Sequence, residues 1–481
     1  QRGSVVSTCL GNADLDRVCR ESLTNGGWLS VVGGRQLEFQ SPTTNHYSAT
    51  TFPMNKSPCC SASDHAFSRR RLLGAAATAT GVGGLGGLLE PSVAEELRKN
   101  EKQVLFVWLD GGMSQLESWD PKPNTQFGGP YRAIPTSVPG IHVGELLPHT
   151  AKQMHHLSIV RSVHTQDNSH SAGVGRINRG DPKNRGVVYP YFGSAVAKLL
   201  GPTSTGLPPY CWVKPYSGGF KTEHTGFLPA KYGALAFGDA KPPENLLLNE
   251  AVSLEQNQAR NELRKMFNER FTEDRRRDWA DANSYVFDVA DTLMKRMDLF
   301  DESTISERDK DRYGRHALGR HMLMGRRLLE AGVRFVKVNS YHWDSHGDNF
   351  NACESLIPQF DQPFAAMLED LAERDMLDNV LVIAISEFGR TPRINSHVGR
   401  DHWPEAWSVA MGGGGIKRGQ VVGKTNKLGT FVESEEYDIG HLFQTWFRAL
   451  GVPEEKMEYV NEGQPLPVAH EECHAIEELL G

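Results

Sequence analysis

Short, continuous apolar runs recur along the chain after residue 100. They lie at 104–109, 157–160, 333–338, 380–385 and 407–411. Runs this short are typical of strands that are buried on both faces of a sheet. Helical patterns lie between some of them, as over 313–331 and 363–374. The pattern predicts an α/β fold with a mostly parallel central sheet that is covered by helices.

The stretch from about 250 to 310 departs from this alternation because it is highly charged and helical in pattern. It includes three consecutive arginines at 275–277, which we interpret as part of a solvated helix face. We therefore predict a charged helical insertion at 250–310.

The segment before the apolar runs is typical of an export signal. Residues 1–60 are polar and aperiodic, which predicts disorder or an upstream extension. The sequence SRRRLL at 68–73 is followed by a weakly apolar run rich in Gly and Ala, and then by small residues at 92–94. This order predicts a signal segment over 61–94, and the paired arginines favour the twin-arginine route. The alternative, a membrane anchor, is disfavoured because the run is short and rich in glycine.

Composition narrows the classes of function. With 481 residues, 39% of them hydrophobic, the chain can bury a sizeable core. The formal net charge of -7 gives no footprint for nucleic acid, so we expect no nucleic-acid partner. Cys211, Cys353 and Cys473 are the cysteines beyond the predicted signal, and the chain has no CxxC pair, which disfavours an iron–sulfur or zinc-ribbon site.

Acidic and imidazole side chains follow three of the predicted strands. Asp110 follows the first, Asp344 and His346 follow the third, and Glu387 follows the fourth. Parallel sheets bind ligands beyond the carboxyl ends of their strands, so these residues are expected to converge. Carboxylate and imidazole together suit Zn²⁺ or another divalent cation, with Ca²⁺ and Mg²⁺ as alternatives.

Two further segments add polar groups to this predicted site. Ser169 and His170 stand in the sequence NSHS at 168–171, and Arg400 and His402 stand in GRDHW at 399–403. Each residue taken alone has a structural explanation, because an acid after a strand often caps a helix and a single histidine is often only hydrogen-bonded. The prediction of a metal-lined site rests on their convergence.

At these residues the chain resembles the bacterial family called domain of unknown function 1501. The resemblance is carried by LDGGMSQ at 109–115, WDSHGDN at 343–349, SEFGRTP at 386–392 and GRDHWP at 399–404. It covers roughly 66–452, and it implies an alkaline-phosphatase/sulfatase-like domain over 95–455 and a C-terminal tail over 456–481. That family is related to the alkaline-phosphatase superfamily, which includes sulfatases. The resemblance therefore implies an exported, metal-dependent hydrolase of phosphate or sulfate esters, with a small-molecule or polysaccharide ester as substrate.

The resemblance also implies roles for particular residues. The metal ligands would be Asp110, Asp344, His346, Glu387 and His402. Phe388 stands where the superfamily has a histidine, which puts a second metal site in doubt. His170 falls at the position of the nucleophile, with Ser169 beside it. Arg390 and Arg400 would stabilise developing negative charge.

Three alternatives remain open. A non-catalytic relative that binds sulfated or phosphorylated glycans fits the lack of a hydroxyl at position 170. The sequence HEECH at 470–474 fits a zinc-protease motif, but only seven residues follow it. The sequence GVGGLG at 81–86 fits a dinucleotide loop but follows arginines rather than a strand, which disfavours an exported oxidoreductase.

Overall fold

The computed structural model describes Leu97 and residues 101–180, 184–216, 223–243, 246–248, 251–274, 277–453 and 457–481. The predicted extension over 1–60 and the predicted signal over 61–94 lie outside the described residues. Within this part of the chain, none of the helices combines the length and the apolar character that crossing a bilayer requires.

The strands of the described residues are short, and they begin at Gln103, as the apolar pattern predicts. In chain order they are β1 (Gln103–Leu109), β2 (Ala133–Pro135), β3 (His142–Gly144), β4 (Ser158–Val163), β5 (Tyr210–Lys214), β6 (Leu235–Gly238), β7 (Phe335–Ser340), β8 (Val380–Ile385), β9 (Gly389–Arg390), β10 (His402–Trp403), β11 (Trp407–Gly412), β12 (Gln420–Val422), β13 (Glu458–Asn461) and β14 (Gln464–Pro467).

The α-helices separate these strands. They are α1 (Pro148–Lys152), α2 (His170–Arg179), α3 (Phe192–Leu199), α4 (Leu254–Asp274), α5 (Arg277–Lys295), α6 (Glu307–Tyr313), α7 (Ala317–Glu330), α8 (Asn349–Glu373) and α9 (Ile439–Ala449). The helices α4 and α5, with α6 after them, occupy the predicted charged insertion.

Eight strands form the central sheet, in the order β12-β4-β11-β8-β1-β7-β5-β6. Neighbouring strands run parallel except at β11, which is antiparallel to both β4 and β8. The α/β fold with a mostly parallel sheet is therefore confirmed. The strands β8, β1 and β7 lie side by side, and their carboxyl ends are level because Trp108 pairs with both Ile385 and Asn339.

The apolar runs are continuous because helices cover both faces of the sheet. Along β1, Leu105 and Val107 enter one core, whereas Val104 and Phe106 enter the other. The first core contains side chains of α5, α7 and α8, and the second contains side chains of α2, α3 and α9. Successive side chains of a strand point to opposite faces, so a strand buried on both sides needs an apolar residue at every position.

Several elements differ from the sequence-based expectation. The strands β5, β6 and β12 were not foreseen because they are short and flanked by proline or glycine. Helix α8 begins at Asn349, well before the expected start at 363, and it contains both Pro358 and Pro363. Proline interrupts helical hydrogen bonding, so the sequence predicts that a helix ends at these residues. Tertiary packing nevertheless keeps the helix continuous.

The segment that was expected to be a C-terminal tail is part of the domain. Residues 457–481 include the β13–β14 hairpin, and Tyr459, Leu466 and Leu479 are at most 4% exposed. These side chains join the same core as α2, α3 and α9. Their burial removes apolar surface from water, which is why the segment packs on the domain rather than extending from it.

Candidate metal centre

The carboxyl ends of β1, β7 and β8 form one rim of the sheet, and the candidate site lies on this rim. Asp110 directly follows β1, Asp344 lies in the loop after β7, and Glu387 follows β8 by two residues. The Trp343 backbone N–H donates to the Asp110 carbonyl at 3.2 Å. The backbone N–H of Gly111 donates to Oε1 of Glu387 at 2.9 Å. These contacts join the three strand ends, as the parallel topology predicts.

Gly111 allows the β1 and β7 loops to approach each other closely. Its φ angle is +119°, and a Cβ atom at this position would lie 2.5 Å from the backbone nitrogen of Asp344. Only glycine adopts this backbone conformation readily, and only glycine leaves room for the neighbouring chain. The LDGG sequence thus places the Asp344 loop on the rim.

Asp344 is the centre of a cluster of cationic and imidazole side chains. Its Oδ1 atom lies 3.1 Å from Nε2 of His402 and 3.1 Å from Nε2 of His346. Its Oδ2 atom lies 3.2 Å from Nε2 of His170, and the Arg390 guanidinium donates to Oδ1 at 2.7 Å. We call Asp344, His170, His346 and His402 the His/Asp cluster. Three imidazoles therefore point the same ring nitrogen at one carboxylate.

Each imidazole of the His/Asp cluster is held from behind through its other ring nitrogen. Nδ1 of His170 lies 2.7 Å from Oε1 of Glu387, and Nδ1 of His346 lies 2.7 Å from Oδ1 of Asp401. Nδ1 of His402 lies 2.6 Å from the carbonyl oxygen of Asn168. Histidines that bind metal ions usually donate Nδ1–H to a carboxylate or backbone carbonyl, and this fixes ring orientation and tautomer.

These partners decide where the imidazole protons lie. A backbone carbonyl only accepts, so the Nδ1 atom of His402 carries its proton, and in the neutral ring Nε2 presents a lone pair. The same holds for His346, whose Nδ1 faces the carboxylate of Asp401. The Nε2 atoms of these two rings lie 2.9 Å apart and face Asp344. A cation between these atoms would be attracted by both lone pairs and by the carboxylate.

Exposure within the site increases from the sheet toward solvent. The side chain of Glu387 is fully buried, those of His170 and His402 are 15% exposed, and that of His346 is 47% exposed. Burial raises the pKa of the Asp344 carboxyl, but hydrogen bonds with His402 and Arg390 outweigh it and hold that pKa well below its usual range. Asp344 is thus an anion that lies between buried side chains and the more exposed His346.

The residues present fit a divalent cation. Zn²⁺ binds imidazole nitrogen and carboxylate oxygen at roughly 2.0–2.2 Å in tetrahedral geometry, which sets ligand atoms about 3.3–3.6 Å apart. His170, His402 and Asp344 each offer one ligand atom, and these three atoms lie within 4.8 Å of one another. The nitrogen-to-oxygen separations of 3.1 to 3.2 Å in the cluster fall close to the tetrahedral spacing. The donor set of imidazoles and one carboxylate is the chemistry that Zn²⁺ prefers.

Comparison with known proteins identifies the family. The family described as "Protein of unknown function (DUF1501)" matches residues 101–480. The chain is a member of the DUF1501 family. The match extends past residue 452, where the resemblance carried by the sequence motifs was expected to end. The comparison with curated proteins found no match.

Solved structures that match this chain include one named as a sulfatase and one named as a synthase. The structure of Ps i-CgsB in complex with k-i-k-neocarrahexaose is 9% identical with a TM-score of 0.33, and the match covers 73% of this chain and 72% of that one. The PsFucS1 sulfatase from Pseudoalteromonas sp. is 14% identical with a TM-score of 0.32, covering 76% and 73%. The lipoteichoic acid synthase LtaP from Listeria monocytogenes is 8% identical with a TM-score of 0.31, covering 79% and 81%. Likenesses at this level assign no reaction, substrate or ion to the DUF1501 chain.

Glu387, an expected metal ligand, lies behind His170 on the side away from Asp344. Oε1 of Glu387 is occupied by the Gly111 N–H and by His170, which suits a residue that orients a ligand. Its Oε2 atom is buried and has no hydrogen-bond partner among the described residues, so a cation or water would satisfy it. The side chain of Asp110 is 4% exposed at the end of β1, next to Gly111.

The two arginines that were expected to stabilise developing charge have different surroundings. Arg390 is fully buried beneath Asp344 and also donates to the carbonyls of Gly111 and Gly112. Arg400 points away from the cluster and pairs with Glu117, and both of these side chains are fully buried. Its guanidinium also donates to three backbone carbonyls of the described residues. All five of its N–H groups are therefore used, and the catalytic role expected for Arg400 gives way to a structural one.

His170, expected at the nucleophile position, lies inside the cluster, with Phe388 against it. The ring of Phe388 lies 5.2 Å from that of His170 and stacks on that of His402 at 4.2 Å. Phe388 thus packs two imidazoles instead of binding a second ion. Ser169 is the exposed N-cap of α2, and its side chain makes no capping hydrogen bond.

Two contributors to the site were not selected from the sequence. Asp401 holds His346, and its signal was its place beside His402 in GRDHW. Asn168 acts through its backbone carbonyl, which has no sequence signature. The HEECH sequence at 470–474 is not helical, because a turn lies at 471–472, so its histidines do not share a helix face. This removes the zinc-protease alternative.

Proposed function

We propose that this chain hydrolyses phosphate or sulfate esters with a divalent cation, Zn²⁺, bound by the His/Asp cluster. The observation that carries the proposal is the common orientation of three imidazoles. Each directs Nε2 at Asp344, and each has its Nδ1 held by a carboxylate or a carbonyl. Structural histidines have no need of such a shared direction, whereas metal ligands do.

The charges around the cluster favour a bound cation and an anionic substrate together. Asp344 lies at the centre of the cluster, Glu387 and Asp401 contact its histidines, and Arg390 contacts Asp344 from beneath. An excess of carboxylates repels a phosphate or sulfate group unless a positive ion intervenes. With these acids balanced by a bound cation, an anionic ester would approach from the exposed side of the cluster, where His346 lies.

The chain's own residues have separate tasks in this proposal. Arg390 fixes the carboxylate of Asp344 and keeps a positive charge beneath the site. Glu387 holds His170, and the half-exposed Asp401 holds His346 at the mouth. A bound cation would polarise the ester oxygens and lower the pKa of water, so that hydrolysis needs no hydroxyl side chain at position 170.

We also propose that the protein is exported before it acts. The support is the SRRRLL sequence at 68–73 with the weakly apolar run behind it. Replacing Arg69 and Arg70 with lysine should leave the protein in the cytoplasmic fraction, because the route reads both arginines. Export that is unchanged in this double variant would remove the twin-arginine proposal.

The function is tested by metal analysis and turnover on the same purified protein. We expect about one equivalent of Zn²⁺ and hydrolysis of an aryl phosphate or an aryl sulfate. Asp344→Asn and His402→Ala should each lose the ion and lower kcat/KM by at least about 100-fold. His397→Ala is the matched control, because this histidine is exposed on the loop that leads to the cluster.

The outcomes separate the two candidate functions. Full metal content and full turnover in both variants would show that the His/Asp cluster is not the site. A histidine at position 170, in place of a hydroxyl, favours the second candidate, a non-catalytic relative that binds anionic glycans. That candidate predicts a loaded protein that retains a sulfated polysaccharide on a column but turns over neither ester.

A further inference from the structure

A cavity beside α7 is separate from the His/Asp cluster. Its volume is about 210 Å³, and its walls come from α6, α7 and the 3₁₀ turns at Met297–Phe300 and Glu302–Thr304. Ala240, two residues after the end of β6, closes one side. We call this space the α7 cavity. Among the described residues that line it, none belongs to the His/Asp cluster, so a ligand here would be distinct from the ester substrate.

The floor of the α7 cavity is apolar and buried. Leu299, Leu323 and Met324 are at most 5% exposed, and Phe300 and Ile305 are partly buried beside them. All five pack in the core that contains side chains of α5, α7 and α8. Because such cores are close-packed, the floor keeps its shape without a ligand. An apolar cavity of about 150 Å³ can hold benzene, so the α7 cavity has room for a chain of about seven carbon atoms.

Basic side chains outnumber acidic ones in the lining. Ion pairs neutralise two of the bases, because Lys310 and Arg315 both contact Glu307, and Arg315 also contacts Asp311. Two arginines of α7 remain, and neither forms an ion pair with the acid of the lining. The charged lining residues are Lys310, Arg315, Arg320, Arg327 and Glu302.

The two remaining arginines stand at either end of the apolar floor. Arg320, Leu323, Met324 and Arg327 share one side of α7, and the arginines are about 10 Å apart along the helix axis. Arg327 donates to two backbone carbonyls and a hydroxyl, so its charge meets no carboxylate. Arg320 is exposed and pairs with nothing in the part of the chain that the structure describes.

The charge of Arg320 is felt by a neighbouring side chain. Burial lowers the pKa of His316, and the charge of Arg320 lowers it further. A cation without a counterion next to an apolar floor attracts anions and does not repel apolar groups. The lining therefore combines the two properties that an amphipathic anion requires.

The wall opposite α7 contains a strained turn. Asp239 and Ala240 have φ angles of +49° and +60°, and this left-handed conformation is unfavourable for residues that carry a side chain. The turn is held in place because Oδ1 of Asp239 lies 3.3 Å from Nε2 of the buried His321. Backbone strain that neighbouring groups maintain is found at sites that hold ligands.

We propose that the α7 cavity binds a soluble amphipathic carboxylate, with its chain of about seven carbon atoms on the apolar floor and its carboxylate paired with Arg320. The positive charge of Arg327 adds to the attraction. An inorganic anion would leave the apolar floor uncovered, and a neutral apolar molecule would leave Arg320 without a counterion. A bilayer is a poorer occupant, because the floor is almost fully buried and cannot reach a flat surface.

Isothermal titration of the whole protein with sodium octanoate tests the site. Octanoate should bind saturably, with one molecule per chain. Hexanoate should bind about 10-fold more weakly, because each buried methylene contributes about fourfold to affinity. Octylammonium has the same chain with the opposite charge and should show no saturable binding, since Arg320 and Arg327 repel it.

Three variants test the residues that the proposal names. Arg320→Gln should weaken octanoate binding about fivefold, the effect expected for an exposed ion pair. Arg308→Gln removes the same charge from an exposed position of α6 outside the lining, and it should leave the affinity unchanged. Met324→Trp fills the cavity and should abolish binding, with circular dichroism as the check on its fold. Arg320 is exposed, so its variant tests the site even where Met324→Trp fails to fold.

Four results would overturn the proposal. They are the absence of saturable octanoate binding at about 10 mM, octylammonium binding as tight as that of octanoate, equal octanoate affinity in Arg320→Gln and Arg308→Gln, and binding to phosphatidylglycerol vesicles that depends on Arg320. The last result would identify a lipid surface as the occupant. None of these measurements depends on ester hydrolysis or on the bound cation.

Discussion

The Nδ1 atom of His170 lies 2.7 Å from the Oε1 atom of Glu387, which also accepts the backbone N–H of Gly111. Glu387 is fully buried, whereas the Nε2 side of His170 faces Asp344. A carboxylate at the end of one strand thus aims an imidazole at a carboxylate that follows another strand. The strength with which the cluster holds a cation should therefore depend on Glu387.

Glu387→Ala should weaken Zn²⁺ binding by about 10- to 100-fold, because residues that orient metal ligands have effects of this size. Glu387→Gln should weaken it less, since the amide oxygen still accepts the Nδ1 proton of His170. The dissociation constants would be measured by competition with a chromophoric chelator, with His397→Ala as control. Wild-type affinity in Glu387→Ala would contradict the orienting role.

The position of the site at the rim of the sheet could be predicted from the sequence, but the hydrogen-bond partners of its side chains could not. Asp110, Asp344 and Glu387 follow apolar runs, and parallel strands carry such residues to one edge. Arg400 looked equally suitable, yet its partner Glu117 lies 283 residues away and no local pattern indicates the pair. A carbonyl partner such as that of Asn168 is a property of the backbone, which side-chain identity does not encode.

The fold shows the same division between local and long-range information. Continuous apolar strands such as β1 and β8 were predictable, since burial on both faces requires an apolar residue at every position. The short strand β12 gains its stability by pairing with β4, a contact that is distant in sequence. The orientation of α4 depends on its contacts with α5, which its own periodicity does not encode.

Gly111→Ala should destabilise the protein by about 3 kcal/mol, because it combines a strained backbone conformation with a clash. The new Cβ would lie 2.5 Å from the Asp344 nitrogen, so cation binding should weaken as well. Gly140→Ala is a matched control, since its φ is +85° but nothing lies within 4 Å of the new Cβ. The control should lose only about 1 kcal/mol of unfolding free energy, from backbone strain. Equal losses in urea unfolding would rule out the close approach as the cause.

Arg400→Ala should lower the free energy of unfolding by about 3–5 kcal/mol, because it leaves the charge of Glu117 buried without its cationic partner. Replacing both residues, as Arg400→Met with Glu117→Leu, should cost less than the single change. Urea unfolding measures these free energies for the wild type, for Arg400→Ala, for the double variant and for Glu117→Leu alone. Metal content per folded molecule should stay at the wild-type value in the double variant. Unchanged stability in Arg400→Ala, with lost turnover, would return Arg400 to a catalytic role.

The buried His321 side chain should lower the stability of the protein in mild acid. Its side chain is 1% exposed, and burial lowers its pKa to about 4, although a hydrogen bond with Asp239 raises it in part. The unfolded value is about 6.5, so the unfolded chain takes up the proton first. The contribution of neutral His321 is therefore complete above about pH 6.5 and is lost as the pH falls toward about 4. By pH 5.5 the loss from this residue should be about 1 kcal/mol.

Urea unfolding at pH 7.5 and 5.5, with chelator present to remove any bound cation, should show a smaller decrease in unfolding free energy for His321→Gln than for the wild type. Parallel decreases in the two proteins, with exposed His397→Gln as the reference, would assign the acid sensitivity to other groups.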